Sequence, residues 1–257
     1  MDSYALPEML AALACPKRLM DEVGAETLAE GRNRVVAVSL RLGSLATSNL
    51  VLKEFSAFGI PKLKTLGRPS KAEKAWRGAL ALDRAGFETP RPVAFLEKRI
   101  RGMIEESYFV AERVSGSREI RGLFRELSAD ELRPLLAGLA RVLFAAHEKG
   151  IFHRDLSDGN ILVSAGADGF RFCFLDTNRV RFRKRIGTLT RAKNLIRLGV
   201  PLPLRSLFLA EYAAAGRRPP GRLFVFWYRL TKAAFTSWIR VKKALRLKKL
   251  ARKLKVQ

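Results

Sequence analysis

Two aspartates and an asparagine near the middle of the chain have the types and spacing that phosphoryl transfer requires. Asp155 and Asn160 lie in the run H-R-D-L-S-D-G-N at residues 153–160, and Asp176 follows a short apolar segment. The reaction needs a carboxylate that orients the acceptor hydroxyl and oxygen ligands for the metal that neutralises the transferred phosphates. The H-R-D-x-x-x-x-N spacing supplies these groups. The sequence therefore predicts Asp155, Asn160 and Asp176 as the catalytic residues of a phosphotransfer centre.

The segments around this run predict the elements that position it. Ser128 and Glu131 have the spacing of a capping box, and apolar residues then recur at helical spacing as far as Gly150. Two apolar runs, 161–163 and 170–175, predict a β-hairpin after the motif. The catalytic residues are thus expected in the loop between helix and hairpin, and at the end of the hairpin.

The N-terminal half has a different character. Residues 35–40 and 49–55 are β-branched or apolar runs, and residues 93–97 and 107–111 form two more. Residues 70–85 predict a helix, with Ser70 and Glu73 in capping-box spacing. We expect a five-stranded antiparallel sheet with one helix.

Together these features resemble the eukaryotic-like protein kinase superfamily, over residues 25–180. They resemble more closely the bacterial lipopolysaccharide core sugar kinases, which phosphorylate Kdo or heptose of the inner core. The resemblance implies an α+β, two-lobed protein-kinase-like fold with a reduced, mostly helical C-lobe. It also implies an ATP-dependent phosphotransferase with an alcohol acceptor. The closer likeness rests on Lys53 and on residues 70–77, 86–92, 175–181, 193–198 and 208–212.

The resemblance implies three regions: a kinase N-lobe with an N-terminal extension at 1–114, a C-lobe with the catalytic loop at 115–222, and a basic amphipathic segment at 223–257.

The resemblance also assigns roles to single residues, with ATP and Mg²⁺ as cofactors. Asp155 would orient the sugar hydroxyl and accept its proton, and Asn160 and Asp176 would hold the metal. Lys53 would contact the α- and β-phosphates of the nucleotide. Glu73 would be the partner of Lys53, although its place in the capping box is a sufficient structural explanation.

Glu112 and Val114 complete the expected nucleotide site, because residues 111–114 would form the hinge whose backbone receives the adenine. His153 is expected to brace the catalytic loop, and His147 to be a buried residue of the packed helix. Residues 31–34 are a weak candidate for the loop that covers the phosphates, equally typical of a simple β-turn.

Some positions depart from the protein-kinase pattern. Protein kinases carry a lysine two residues after the catalytic aspartate, where this chain has Ser157, and Asp176 is followed by Thr177-Asn178 instead of Phe-Gly. Ser157 argues against a protein substrate, and the residues after Asp176 argue against regulation by a phosphorylated activation loop.

Positive charge is concentrated in the last third of the chain. The formal net charge is +25, and residues 177–257 carry +22 of it, from 23 Lys/Arg and the single acid Glu211. This asymmetry predicts a polyanionic partner. We expect a lipopolysaccharide precursor or another anionic glycolipid, and an anionic membrane surface; nucleic acid is disfavoured.

The segment from residue 223 onward combines these basic residues with aromatic ones, and residues 247–254 place leucines on one face of a basic helix. Such a helix binds anionic membranes through apolar burial and electrostatic attraction. The alternative is that residues 223–239 pack against the helical lobe and only the tail is free.

The two cysteines are too few for a disulfide framework, and the N-terminus lacks the charge order of a secretory signal. We therefore expect a cytoplasmic protein, peripheral on the inner face of the bacterial inner membrane. Two alternatives stay open: a kinase of another small molecule or of a protein, and a pseudokinase that binds membrane or nucleic acid. The particular sugar, the preference for magnesium or manganese, and self-association also stay open.

Overall fold

Five antiparallel strands form the sheet of the N-terminal half, in the order β1-β2-β3-β5-β4. The strands are β1 (Glu26–Ala29), β2 (Asn33–Leu42), β3 (Ala46–Phe55), β4 (Pro92–Ile100) and β5 (Met103–Glu112). The computed structural model describes residues 9, 11–22, 24–31, 33–42, 46–55, 65–166, 169–217 and 221–254. The predicted five-stranded antiparallel sheet is confirmed.

The two faces of this sheet are covered by different helices. Helix α1 (Pro16–Asp21), which the sequence analysis did not predict, contributes Leu19 and Met20 to a core with the apolar residues of β2, β3 and β5. Helix α2 (Lys71–Arg84) packs Ala72 and Ala75 against Phe55. Burial on both faces fixes the register of the strands, because a one-residue slip would exchange the two faces.

Helix α2 begins as its sequence predicts. The hydroxyl of Ser70 accepts a hydrogen bond of 2.9 Å from the backbone N–H of Glu73, which satisfies one of the free donors at the helix start. In the middle of the helix, a Cβ on Gly78 would lie 2.3 Å from the carbonyl oxygen of Thr177. Glycine at this position therefore permits the close approach of the segment that follows Asp176.

The chain folds into two compact units. The first comprises Met1–Ser117 and Cys173–Val180, and the second comprises Arg118–Phe172 and Arg181–Gln257. The turn at 31–34 belongs to the first unit: Gly31 lies between β1 and β2, Asn33 and Arg34 begin β2, and residue 32 lies outside the described residues.

The second unit is built around helix α4 (Ala129–Glu148), which follows α3 (Ile120–Glu126). Ser128 and Glu131 form the predicted capping box, and the apolar face of α4 is almost fully buried. Strand β6 (Arg118–Glu119) precedes α3, and four more short strands follow α4: β7 (Ile151–His153), β8 (Ile161–Gly166), β9 (Gly169–Phe174) and β10 (Val180–Phe182). They form two small sheets, β6-β8-β9 and β10-β7, in which Cys173, Phe174 and Val180 belong to the first unit. The predicted hairpin is the pair β8 and β9.

The chain after β10 is mainly helical. Its described residues contain three α-helices: α5 (Thr188–Leu195), α6 (Arg205–Ala214) and the 33-residue α7 (Arg222–Leu254). Phe224 and Tyr228 of α7 are buried, whereas Phe226 and Trp238 are largely exposed. Helix α7 is therefore packed along one face and exposed along the other, a mixture of the two alternatives.

Candidate active site

Lys53 and Asp176 meet within the first unit. Lys53 lies near the end of β3, opposite Val35 of β2 and Phe109 of β5. Its ammonium group donates a hydrogen bond of 2.5 Å to Oδ1 of Asp176, and the two side chains are only 22% and 19% exposed. A partly buried pair of this kind is costly to desolvate unless both charges are satisfied. The pair thus joins the predicted phosphate-binding lysine to a predicted metal ligand.

The backbone around Asp176 is fixed by contacts on both sides. Before it, the N–H of Phe174 donates to the carbonyl of Glu88 and the hydroxyl of Thr89 donates to the carbonyl of Phe174, both at 2.8 Å. After it, the buried hydroxyl of Thr177 donates to the carbonyl of Ala75 at 2.7 Å.

Asp176 itself adopts the left-handed conformation, with φ 54° and ψ 46°. This region is uncommon for residues other than glycine, and such strain persists only where surrounding contacts impose it. The contacts on either side of Asp176 are of this kind, and they hold its carboxylate towards Lys53.

Asp155 and Asn160 meet within the second unit. The carbonyl of Asp155 accepts hydrogen bonds of 2.8 Å from the backbone N–H of Ser157 and from the side-chain amide of Asn160. The N–H of Asn160 in turn donates to the carbonyl of Ser157 at 2.9 Å. Because Nδ2 of Asn160 is used inside the loop, its Oδ1 is the end of the amide that a hard cation would take.

The catalytic loop is also held to the helices behind it. The ring Nδ1 of His153 accepts a 3.2 Å hydrogen bond from the N–H of Asp155, and its carbonyl accepts one of 2.8 Å from Nδ2 of Asn194 on α5. Both side chains are almost fully buried. This confirms that His153 braces the loop.

The network continues to His147, which is buried at the end of α4 as predicted. Asn194 donates through Nδ2, so its Oδ1 is the acceptor for Nε2–H of His147, at 2.9 Å. Nδ1 of His147 then accepts from the hydroxyl of Tyr212, at 2.6 Å. Burial raises the pKa of Tyr212, which keeps this hydroxyl protonated. The network needs a neutral imidazole with its proton on Nε2.

This network makes stability depend on pH. Burial lowers the pKa of His147 from 6.5 to about 4, against the opposing hydrogen bond to Asn194. The free energy of unfolding should therefore be greatest above pH 6.5 and fall towards pH 4, because in this range the unfolded chain takes up a proton that the folded one does not.

Urea unfolding at about pH 7.5 and about pH 5 measures this effect. A His147→Gln variant should have a lower free energy of unfolding at the higher pH. Its free energy of unfolding should fall less from the higher pH to the lower one than that of the unmodified protein. An equal loss in both proteins would contradict the assignment.

Arg197 is a residue of the site that the sequence analysis did not single out as functional. It follows α5, and its guanidinium group pairs with Oδ1 of Asp155. The same group lies 5.7 Å from the ring centre of Phe235 on α7. Arg197 is separated from Asp155 by 42 residues, so no local motif links the two.

The remaining predicted residues of the nucleotide site lie in the first unit. The carboxylate of Glu73 pairs with Arg77 on its own helix at 2.5 Å, and its pairing with Lys53 stays a prediction. Glu112 ends β5, and its N–H donates to the carbonyl of Arg91 at 2.9 Å. Val114 follows, with its carbonyl 3.5 Å from the hydroxyl of Ser117.

The structure thus brings together Lys53 with Asp176, and Asp155 with Asn160, each pair inside one unit. Among the described residues, no cluster of three or more His, Cys, Asp or Glu side chains is arranged to hold a metal. Asn160 and Asp176 each carry oxygen atoms of the kind that Mg²⁺ accepts as ligands, and their binding of one metal stays a prediction.

Comparison with solved structures gives the class of fold. A solved structure described as WaaP in complex with acyl carrier protein matches 88% of this chain and 90% of its own, with a TM-score of 0.55 and 21% sequence identity. At this identity the match shows the fold alone. The predicted α+β kinase fold is confirmed.

The family is shown by the sequence itself. Residues 61–211, more than half of the chain, match the model of the lipopolysaccharide kinase (Kdo/WaaP) family. This chain belongs to that family, and it is therefore a kinase that transfers a phosphoryl group to a sugar hydroxyl. The matched range contains Asp155, Asn160 and Asp176 and begins after Lys53. The search of curated proteins gives no match.

Within the described part of the chain, no helix has both the length and the apolarity needed to cross a membrane.

Proposed function

We propose that this protein transfers the γ-phosphate of ATP to a hydroxyl group of Kdo or heptose in the inner core of a lipopolysaccharide precursor. The match of residues 61–211 to the lipopolysaccharide kinase family carries the proposal. Membership of a kinase family implies ATP as the donor. The identity of the sugar is the finer part of the proposal.

In this proposal, Asp155 accepts a hydrogen bond from the acceptor hydroxyl and takes its proton. The hydroxyl oxygen bonds to the γ-phosphorus as the bond from that phosphorus to the β-phosphate oxygen breaks, so ADP leaves. Lys53 binds the α- and β-phosphates, which its ammonium charge suits. Mg²⁺ would be held by Oδ1 of Asn160 and the carboxylate of Asp176, and it would neutralise the phosphate charge. Both pairs thus have roles in the one proposed reaction.

The pair of Lys53 and Asp176 also suggests what happens before the nucleotide binds. Each side chain satisfies the charge of the other at 2.5 Å. Without such a partner, a half-buried charge is unfavourable. ATP and Mg²⁺ offer each of them a replacement partner, so binding exchanges one ion pair for two new contacts.

Three other residues complete the proposed nucleotide site. The backbone of Glu112 and Val114 receives the adenine, and Glu73 supports Lys53. The regions proposed for these functions are the N-lobe at 1–114 and the C-lobe at 115–222.

The direct test offers radiolabelled ATP and Mg²⁺ to the purified protein with rough lipopolysaccharide, a generic protein and nucleic acid in parallel. We expect label in the lipopolysaccharide alone, and mapping of the phosphate identifies the sugar. Label in the protein acceptor would overturn the proposed substrate. Absence of transfer to every acceptor, with ATP still bound, would favour a pseudokinase.

A second part of the proposal is binding to an anionic membrane surface. It is supported by the basic helix α7, which makes up most of the proposed C-terminal region at 223–257. Residues 222–254 contain no acidic side chain. Its exposed residues combine aromatic and basic types, among them Phe226, Trp238, Arg229, Lys242 and Lys243. Apolar burial and attraction to anionic lipids act together on such a surface. In this proposal, the enzyme works at the inner face of the membrane, where a lipid-linked acceptor would be found.

A charge-neutralising variant tests this surface without removing the buried Phe224 and Tyr228. Changing Arg229, Lys242 and Lys243 to Gln should weaken binding to vesicles with anionic lipid by up to about 100-fold, since each basic residue contributes about 1 kcal/mol. Added salt should weaken binding of the unmodified protein in the same direction. Co-sedimentation measures both.

The matched control changes three exposed basic residues of the first unit, Arg84, Lys98 and Arg101, to Gln. Equal loss in both variants would contradict a role for α7. The WaaP structure contains acyl carrier protein, so a parallel arm uses that protein in place of vesicles. Binding to acyl carrier protein without binding to vesicles would contradict the membrane proposal and indicate a protein partner for α7.

A further inference from the structure

The contact between Arg197 and Asp155 extends the proposed function to a residue outside the catalytic motif. We propose that Arg197 is a positioning residue, which holds the carboxylate of Asp155 in the orientation that receives the acceptor hydroxyl. This inference rests on the proposed role of Asp155. It assigns to Arg197 an effect on the rate of transfer, exerted through Asp155.

The positive charge of Arg197 lies against one oxygen of the Asp155 carboxylate. The guanidinium group pairs with Oδ1 of Asp155, and the two side chains are 39% and 34% exposed. One oxygen of the carboxylate is thus engaged by Arg197, and no side chain in the described part of the chain bonds Oδ2, which can accept from a hydroxyl. A free carboxylate rotates about its last torsion, whose preference is broad. A fixed partner removes that freedom before the substrate binds.

Protein kinases have a cation in the catalytic loop at a position where this chain has none. They carry a lysine two residues after the catalytic aspartate, where this chain has Ser157. Arg197 brings a cation to Asp155 from the segment after α5 instead. The loop is thus supplied with a positive charge from a distant part of the chain.

Arg197 is itself held in place by residues of α7. The ammonium group of Lys232 on α7 donates to the carbonyls of Ile196 and Leu198, at 2.6 and 2.8 Å. These two residues flank Arg197, so its backbone is fixed from the side of α7. Phe235, one turn further along α7, lies against its guanidinium group.

The same segment contacts the catalytic loop at two further points. Asn194 donates to the carbonyl of His153. A Cβ on Gly199 would lie 2.5 Å from Oδ2 of Asp158, so glycine at this position lets the carboxylate of Asp158 approach the segment closely. Residues 194–199 therefore connect α7 to the loop that carries Asp155.

The alternative role for Arg197 is to bind an anionic group of the acceptor. The two roles differ in their kinetics. A positioning residue acts on the transition state and changes kcat, whereas a clamp for the bound acceptor changes KM. The experiment separates them by measuring both constants for ATP and for the acceptor.

The experiment compares Arg197→Ala, Arg197→Lys and Arg191→Ala in the full-length protein with rough lipopolysaccharide. Arg191 is the matched control: it pairs with Glu148 and lies 5.6 Å from the ring of Phe144, a similar pair of contacts away from the loop. Thermal unfolding of each variant reports loss of structure. Guanidinium ion is then added at low concentration to the two alanine variants.

We expect Arg197→Ala to lower kcat by about 10- to 100-fold, the loss expected for one charge-assisted hydrogen bond, with both KM values little changed. Arg197→Lys should recover part of kcat, and guanidinium should raise kcat of Arg197→Ala but leave Arg191→Ala unaffected. Unchanged kcat, or a loss confined to KM of the acceptor, would overturn the inference. An active Asp155→Asn enzyme would instead overturn the proposed function on which it rests.

Discussion

Asp155→Asn is expected to lower kcat by about 10²- to 10⁴-fold, the usual contribution of a general base. The amide keeps the size of the side chain and its polarity but cannot take the proton of the hydroxyl. Nucleotide affinity should be nearly unchanged, because the groups proposed to bind ATP lie elsewhere. Transfer of label to rough lipopolysaccharide measures the rate, and equilibrium binding of a fluorescent ATP analogue measures the affinity.

Asp158→Asn serves as the control from the same loop. Asp158 is paired with Arg121 at 3.4 Å and is not assigned to the reaction. Its change should cost far less than that of Asp155. If both variants lost activity equally, the loss would report the integrity of the loop, and Asp155 would have no special role.

Asp176→Asn should have the second large effect. It should raise the concentration of Mg²⁺ that the enzyme needs for activity. The change removes a proposed charged ligand of Mg²⁺, and it leaves Lys53 without its anionic partner at 2.5 Å. Alteration of residues that merely support ligands costs about 10- to 100-fold in metal affinity, so loss of a ligand should cost at least as much. Titration of activity with Mg²⁺ at fixed ATP measures the shift.

The comparison with Lys53→Met gives this prediction its specificity. Lys53 is proposed to bind phosphate, so its loss should weaken binding of ATP with and without the metal. Loss of Asp176 should weaken only the binding that depends on metal. If both variants lost the same affinity at every metal concentration, Asp176 would act through Lys53 alone.

The sequence predicted those parts of the site that short-range patterns encode. The capping boxes at Ser70 and Ser128 depend on residues three positions apart, and both helices begin where they indicate. The loop at 153–160 is a local turn closed by contacts among Asp155, Ser157 and Asn160. Its motif therefore carries the information for its own geometry.

The parts that the sequence did not predict depend on contacts between distant segments. Arg197 reaches Asp155 across 42 residues, and Gly78 is needed because of Thr177. Both residues lie in segments that the sequence analysis used, but no local pattern indicates the distant residue that each of them meets. For α7, a basic and aromatic composition predicted an exposed face, but only packing could show that Phe224 and Tyr228 are buried.

The central claim is that the two pairs, Lys53 with Asp176 and Asp155 with Asn160, serve one nucleotide and its metal. The most direct measurement is a crystal structure of the protein with Mg²⁺ and a non-hydrolysable ATP analogue. The account predicts one Mg²⁺ bound to both Oδ1 of Asn160 and the carboxylate of Asp176, at about 2.1 Å. A metal that contacts Asp176 while Asn160 and Asp155 lie away from the phosphates would contradict it.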